Sequence, residues 1–202
     1  SSASIDVIIP TIGRKQYLYD VLFDLKNQTH LPINVIVVEQ DPDLDSESEL
    51  DYLYSESWPF NIKHIFTHSG GACNARNKGI DELKSEWVFF ADDDVRFDPF
   101  FLKECLSNCK TYNQKAITVA CCTKEEHFES QNLFQWHTFG SGCSFVDSEV
   151  IRDLRFDTRF EFGFYEDADF GMKLRNKGID IVYFNNPKMT HLKAPSGGFR
   201  AK

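Results

Sequence analysis

Hydrophobic positions in the first half of the chain alternate between two periods. Residues 5–9 and 35–38 are short β-branched runs that predict buried strands, and Pro10 ends the first of them. Between these runs, apolar residues recur at the i, i+3, i+4, i+7 spacing that defines one face of an amphipathic helix, at Leu18, Val21, Leu22 and Leu25.

The same alternation continues further along the chain. Strands are predicted at residues 62–66 and 87–90, with a helix from about residue 71 to residue 83 between them. Residues 42–58 are acidic and Ser-rich, which indicates a surface loop or a short helix. Strand–helix alternation of this kind predicts an α/β fold, with a mostly parallel central sheet flanked by helices on both faces.

The second half is less regular. Helices are predicted near residues 102–109 and 165–176, and Gly178 is placed to end the second of them. Strands are predicted at residues 117–121, 138–146 and 181–184, and Gly140 and Gly142 allow a close backbone approach. Because no repeat or linker interrupts the chain, a single domain over residues 1–202 is predicted.

Composition limits the possible functions. An apolar fraction of 42% is enough for a packed core, whereas a net charge of −9 argues against a nucleic-acid partner, which needs a basic face. The six cysteines contain no C-x-x-C pair, so a zinc site is not expected, and reduced thiols are typical of the cytoplasm. No apolar run reaches the ~20 residues of a membrane span.

Acidic residues follow two of the predicted strands. Glu39 and Asp41 come after the second strand, and Asp92, Asp93 and Asp94 come after the fourth. Ligands of open α/β sheets bind outside the carboxyl ends of the strands, so both groups are expected at one edge.

The Asp92–Asp94 triplet is the sharpest feature of the sequence. Adjacent carboxylates repel one another, and a divalent cation removes that cost. Alternation in an extended segment points Asp92 and Asp94 to one side and Asp93 to the other. A solvated acidic turn that caps the next helix explains the triplet equally well.

Three further segments carry candidate chemistry. Residues 69–80 predict a helix capped by Ser69, whose N-terminus suits an anion and whose Arg76 suits a phosphate or a base carbonyl. Glu166 and Asp167 begin another helix, where they either complement the helix dipole or supply a general base. His191 is either structural or a metal or phosphate ligand, and a basic, Gly-rich tail follows it that could close over a diphosphate.

Taken in this order, the segments resemble the inverting glycosyltransferases of family 2, which have the GT-A fold. The resemblance covers nearly the whole chain. It rests on Val7-Ile8-Ile9-Pro10-Thr11, Val37-Val38-Glu39-Gln40-Asp41, Ala75-Arg76-Asn77-Lys78-Gly79-Ile80, Phe90-Ala91-Asp92-Asp93-Asp94 and Glu166-Asp167-Ala168-Asp169-Phe170, followed by Arg175 and Gly178.

The resemblance implies a role for each motif residue. Asp167 matches the catalytic base, with Glu166 as the second candidate. Asp94 is the implied direct ligand of Mn²⁺ or Mg²⁺, with Asp92 nearer the ribose and His191 as a third contact. Residues implied to bind the nucleotide sugar are Pro10, Thr11, Arg14, Glu39, Asp41, Arg76, Asp92 and Asp93. The family often has Val-Asp-Asp-Gly-Ser where this chain has Val38-Glu39-Gln40-Asp41-Pro42, so the residue that contacts the base, and whether the base is uracil or thymine, stay open.

The implied activity is a single in-line displacement, from a nucleotide-diphosphate sugar to a hydroxyl of a saccharide or lipid-linked saccharide. The resemblance implies a nucleotide-binding half to about residue 95 and an acceptor half after it, with acceptor contacts from residues 136–142 and the tail. By analogy, the setting is cell-surface polysaccharide assembly in the cytoplasm or at the cytoplasmic face of the membrane. Because the chain lacks an initiator Met, we expect a trimmed protein whose absent segments carry any membrane association.

A nucleotidyltransferase and a non-catalytic sugar-nucleotide binding domain are the alternatives to glycosyl transfer.

Overall fold

A computed structural model describes residues 2–123, 134–136 and 138–199, and the structural statements below concern those residues. The strands are β1 Ile5–Thr11, β2 Asn34–Gln40, β3 Asn61–Thr67, β4 Trp87–Ala91, β5 Val95–Arg96, β6 Ala116–Cys122, β7 Phe134–Trp136, β8 Cys143–Asp147 and β9 Ile181–His191. The helices are α1 Lys15–Lys26, α2 Tyr52–Ser55, α3 Ala72–Asp81, α4 Phe101–Thr111 and α5 Glu166–Asn176, with 3₁₀ turns at Ser148–Ile151 and Thr158–Phe160.

All described strands belong to one sheet. Its order is β3-β2-β1-β4-β8-β6-β9-β5, and β7 pairs with β9 beside this path. The predicted parallel half is confirmed, since β1 pairs in parallel with both β2 and β4, and β2 pairs in parallel with β3. The second half adds antiparallel pairs, with β8 between β4 and β6. The carboxyl ends of β1, β2 and β4 therefore meet at one edge.

Helices cover both faces of the sheet, as the sequence predicts. On one face, α1 and α4 pack their apolar sides against residues such as Val7, Val37 and Phe89. On the other face, α3 and α5 pack against Ile8 and Phe90. Side chains alternate between the two faces along each strand, so the central strands are apolar on both sides.

Two predicted strands differ from the structure. The strand predicted at residues 138–146 begins only at Cys143, because residues before it form a turn in which the Cys143 amide donates to the carbonyl of Gly140 at 3.1 Å. The last strand continues past residue 184 to His191, where it pairs with β5. Its second half is mostly polar, so the apolar pattern alone ended the prediction too early. Residue 137 of the predicted acceptor region and Arg200 of the tail lie outside the described residues.

Candidate active site

A cavity of about 480 Å³ opens at the carboxyl edge of the parallel strands. It brings together predicted residues from both halves of the chain, namely Pro10, Arg14, Arg76, Asp92, Asp93, Asp94, Glu166, Asp167 and His191. Glu39 and Asp41 are not among the described residues that line it. Thr11 contacts the site indirectly, through Asp93.

Asp92, Asp94 and His191 form the metal-competent part of the cavity. One potential ligand atom from each residue lies within 4.8 Å of the others. The short pairing of β5 with β9 causes this proximity, because it sets Val95 opposite His191 and lets the Leu192 amide donate to the Asp94 carbonyl at 2.9 Å. His191 Nε2 lies 3.3 Å from Asp94 Oδ2, and this contact raises the pKa of His191.

Asp93 points away from this pair and serves a different purpose. Its carboxylate accepts hydrogen bonds from Thr11 Oγ1 at 2.8 Å and from Arg14 Nη1 at 2.8 Å. Burial raises the pKa of Asp93 to about 6, although Arg14 and Thr11 oppose the shift. Asp94 differs, because the hydrogen bonds from His191 and the Ala194 amide outweigh its burial and lower its pKa.

The Gly-rich tail is held against the turn after β1. Arg14 Nε donates to the Ser196 carbonyl at 3.1 Å and Nη2 donates to the Gly197 carbonyl at 3.3 Å. The Gly198 amide donates to the Ile12 carbonyl at 2.8 Å. The tail that the sequence predicted to close over a diphosphate therefore lies against the acidic cluster through Arg14.

Arg76 lies almost fully buried in the wall of the cavity, with 6% of its surface exposed. Its guanidinium lies 3.7 Å from Asp92 Oδ1 and 5.6 Å from the ring centre of Phe156. The Nε and Nη1 atoms are buried and have no hydrogen-bond partner among the described residues. Arg76 thus holds two unpaired buried donors in a guanidinium that borders the cavity.

Asp167 lines the same cavity from the start of α5. Burial raises the pKa of its carboxyl group, while a hydrogen bond with Ser141 and the charge of Arg76 act in the other direction. Its backbone carbonyl accepts a hydrogen bond from the Phe139 amide at 3.3 Å, which fixes the helix start against the turn before β8. Glu166, beside it, is buried and also lines the cavity.

Comparison with known proteins identifies the family. The sequence profile described as "Glycosyl transferase family 2" matches residues 6–181 of this chain. The chain belongs to that family. This membership favours sugar transfer over the nucleotidyltransferase alternative.

Relatives of this family 2 domain include two bacterial proteins. Glycosyltransferase GlyA of Streptococcus pneumoniae is 26% identical over 136 residues, which are 67% of this chain and 19% of GlyA. The minor teichoic acid biosynthesis protein GgaB of Bacillus subtilis is 26% identical over 189 residues, covering 80% of this chain and 20% of GgaB. The chain thus spans about a fifth of the length of these relatives.

Solved structures confirm the GT-A fold. Residues 1–349 of S. aureus TarS in complex with UDP-GlcNAc match with a TM-score of 0.75 and 18% identity, over 98% of this chain and 60% of that one. The same TarS fragment in complex with UDP matches with a TM-score of 0.74 and 19% identity, over 92% of this chain and 59% of that one. In the described part of the chain, no helix combines the length and hydrophobicity needed to cross a membrane.

The end of β2 departs from the prediction. Glu39 is buried, and its carboxylate accepts from Ser48 Oγ at 2.5 Å, lies 2.7 Å from His64 Nε2 and accepts from the Glu49 amide at 3.1 Å. Burial opposes ionisation of Glu39, but these hydrogen bonds outweigh it and lower its pKa. Asp41 accepts from the Asp43 amide at 3.0 Å within its own turn.

Gln40, next to Glu39, is buried and has one polar atom without a partner among the described residues. Its Nε2 donates to the Gly71 carbonyl at 3.0 Å, and its buried Oε1 has no hydrogen-bond partner among the described residues. Gln40 is the last residue of β2, at the carboxyl edge of the sheet, but it is not among the described residues that line the cavity.

The N-terminus of α3 binds a carboxylate of the protein itself, the side chain of Glu161. The cap position is Gly71 rather than the predicted Ser69, with φ of 108°. The Glu161 carboxylate accepts from the Cys73 amide at 2.7 Å and from the Asn74 amide at 2.8 Å. It therefore satisfies amides that the sequence analysis assigned to a bound anion.

Replacing Glu161 by Ala is expected to destabilise the fold by about 1 kcal/mol, because a helix start loses its charged hydrogen-bond acceptor. Urea unfolding followed by circular dichroism measures the change. Glu149→Ala, whose side chain is 79% exposed, is the matched control with an expected change near zero. Equal unfolding midpoints for the two variants would contradict the capping role.

Proposed function

We propose that this domain is a metal-dependent inverting glycosyltransferase that moves a sugar from a UDP- or dTDP-linked donor to an acceptor hydroxyl. One observation carries the proposal. Asp92, Asp94 and His191, which suit a divalent cation, share a cavity with Asp167, a carboxylate able to accept a proton. Separate groups are thus available for the leaving group and for the nucleophile.

The residues present fit Mn²⁺ or Mg²⁺. Carboxylate oxygens are preferred ligands of both ions, and His191 adds an imidazole nitrogen, a common metal ligand. In the proposal, Asp94 is a direct ligand, His191 is a further ligand, and Asp92 lies near the metal and the ribose. When bound, the ion acts as a Lewis acid that stabilises negative charge on the departing diphosphate.

Arg76 supports the binding of a nucleotide in the same cavity. Leaving buried donors unpaired costs about 1–3 kcal/mol, and the Nε and Nη1 donors of Arg76 are unpaired among the described residues. In the proposal, a base carbonyl or a phosphate oxygen accepts a hydrogen bond from the Arg76 guanidinium, which lines the cavity. TarS, which shares the fold of this chain, has been solved with UDP and with UDP-GlcNAc, and this supports uracil as the first base to test.

Asp167 is the general base in this proposal, with Glu166 as the second candidate. Its burial raises the pKa of the carboxyl group, which brings its basicity closer to that of an effective base near neutral pH. Asp167 accepts the proton of the acceptor hydroxyl while the hydroxyl oxygen attacks the anomeric carbon. The bond from that carbon to the diphosphate oxygen breaks in the same displacement, so the configuration inverts.

The acceptor is proposed to be a saccharide or a lipid-linked saccharide in cell-surface polysaccharide or glycolipid assembly. The relationship to GgaB, a protein named for minor teichoic acid biosynthesis, supports this setting. Assembly of this kind would place the protein in the cytoplasm or at the cytoplasmic face of the membrane.

Calorimetric titration with UDP and dTDP, each with and without Mn²⁺, tests the proposal. Metal-dependent binding of one of them is expected, and ADP with Mn²⁺ is the control for unspecific binding of metal diphosphates. If UDP and dTDP bind no better than ADP under every metal condition, the donor site proposed here is wrong.

Gly142 provides a second test, because it lies directly against Asp92. A Cβ atom at Gly142 would overlap the Asp92 carboxylate. Gly142→Ala is therefore expected to weaken metal-dependent UDP binding by about tenfold without removing a ligand atom. Gly178→Ala is the control, since its Cβ would meet no atom within 4 Å and its φ of 78° limits the effect to stability. Equal UDP affinities for both variants would argue against Asp92 at the donor site.

A further inference from the structure

The wall of the cavity next to Asp167 is built from an aromatic segment. Phe160 and Phe162 both line the cavity, in the segment that leads into α5. Phe162 is 71% exposed, and Phe164 and Tyr165 are exposed to 72% and 69%. Three exposed aromatic residues within four positions, beside a cavity, mark a surface suited to a ligand.

The backbone holds Phe162 in an unusual conformation. Its φ is 60°, in the left-handed region that large side chains rarely adopt. The residues on either side fix this turn, since the Gly163 amide donates to the Phe160 carbonyl at 3.0 Å and the Glu161 carboxylate is bound to the start of α3. The Phe162 ring is therefore presented at the cavity rim before any ligand arrives, at a cost in backbone conformation.

The charges along this wall restrict the ligand. Its described lining residues include the acids Glu161, Glu166 and Asp167 and no Lys or Arg. The basic residues of the cavity belong to other segments, at Arg14, Arg76 and Lys193. The cation that acts on Asp167 is Arg76, which is proposed to engage the donor, so a phosphate-bearing acceptor would meet net negative charge from the three carboxylates of this wall. A neutral sugar can instead place the C–H face of its ring on an aromatic ring and direct a hydroxyl towards a carboxylate.

We propose that Phe160 and Phe162 form the acceptor subsite and that this subsite takes a neutral pyranose rather than a phosphate-bearing polyol. The inference rests on the proposed function, because it assigns Asp167 as the base. It makes Phe162 a determinant of acceptor choice that the donor site does not need.

Saturation-transfer NMR on the protein loaded with UDP and Mg²⁺ tests the proposal. The neutral probes are the methyl pyranosides of glucose, galactose and rhamnose, and the anionic probes are glycerol 3-phosphate and ribitol 5-phosphate. Signal transfer is expected to the ring C–H protons of at least one neutral probe. Transfer to the polyol phosphates with none to the pyranosides would overturn the proposal.

Phe162→Gly separates a binding role from a structural one. Glycine removes the ring and also relieves the positive φ, so thermal stability is expected to stay equal or rise. Affinity for the neutral probe is expected to fall about fivefold or more, whereas Phe162→Trp retains it. Phe23→Ala, which removes a 49% exposed ring outside the cavity lining, is the control.

The remaining outcomes are equally decisive. Unchanged pyranoside affinity in Phe162→Gly would overturn the proposal. Calorimetry with UDP and Mn²⁺ on the same variants separates the two hypotheses. Normal UDP binding without pyranoside binding rejects only the acceptor subsite, and absent UDP binding in the unmodified protein rejects the proposed function as well.

Discussion

Asp167→Asn is expected to lower the rate of sugar transfer by about 10²–10⁴-fold, the typical contribution of a general base. Asparagine has nearly the same shape as aspartate but cannot accept the proton of the attacking hydroxyl. Donor binding is expected to be almost unchanged, because Asp167 is not one of the residues proposed to hold the metal or the nucleotide. Single-turnover assays with a labelled sugar nucleotide measure the rate, and calorimetry measures the affinity.

The pH dependence provides an independent check. A base must be ionised to act, so the rate with the unmodified protein is expected to rise with pH through the raised pKa of Asp167. Asp167→Asn should lose this rise. Retained turnover in the variant would assign the base to Glu166, in which case Glu166→Gln would show the larger loss.

Asp94→Asn is expected to remove most of the metal-dependent UDP binding, a loss of at least about 100-fold in affinity. Asp94 offers a ligand atom near both Asp92 and His191, so its loss leaves the ion with one carboxylate and an imidazole. Binding of UDP without metal should be unaffected. Titration with UDP, first without metal and then at increasing Mn²⁺ concentration, measures the metal-independent and the metal-dependent affinity.

Asp153→Asn is the matched control for this change, because it removes the same charge from an exposed residue paired with Lys177. Its UDP affinity should equal that of the unmodified protein. If Asp94→Asn retained full metal-dependent binding, the ion would have to be held by other groups and the assignment of this cluster would be wrong.

The parallel half of the fold could be predicted because its hydrophobic periodicity depends on residues that are close together in the sequence. Strand β1 is apolar on both faces and ends at the edge where Asp92 and Asp94 also emerge. Alternation along the extended segment correctly placed Asp93 apart from its neighbours, towards Thr11 and Arg14. These inferences needed only local periodicity and the general position of ligands in α/β sheets.

The features that were missed depend on contacts between distant parts of the chain. The Glu161 carboxylate caps helix α3 at Cys73, 88 residues earlier in the chain, and no spacing in the sequence predicts that pairing. Glu39 carries the charge expected of a base-binding residue, but His64 and Ser48, from other segments, engage its carboxylate. The position of Phe162 likewise follows from the turn around it rather than from its own residue type.

The hydrogen bonds from Arg14 to the tail limit how the chain can be divided into fragments. The proposed donor cavity includes the turn after the first strand and residues beyond the last strand, and the Arg14 guanidinium and the Gly198 amide join the two. During synthesis, the cavity is therefore completed only when residue 197 has emerged and reached Arg14. A fragment that ends at the acidic triplet would contain most of the side chains proposed to contact the nucleotide and still lack a finished pocket. The two halves named from the sequence are thus not interchangeable modules, and a chimaera that joins halves from different relatives would have to carry a matched pair at this junction.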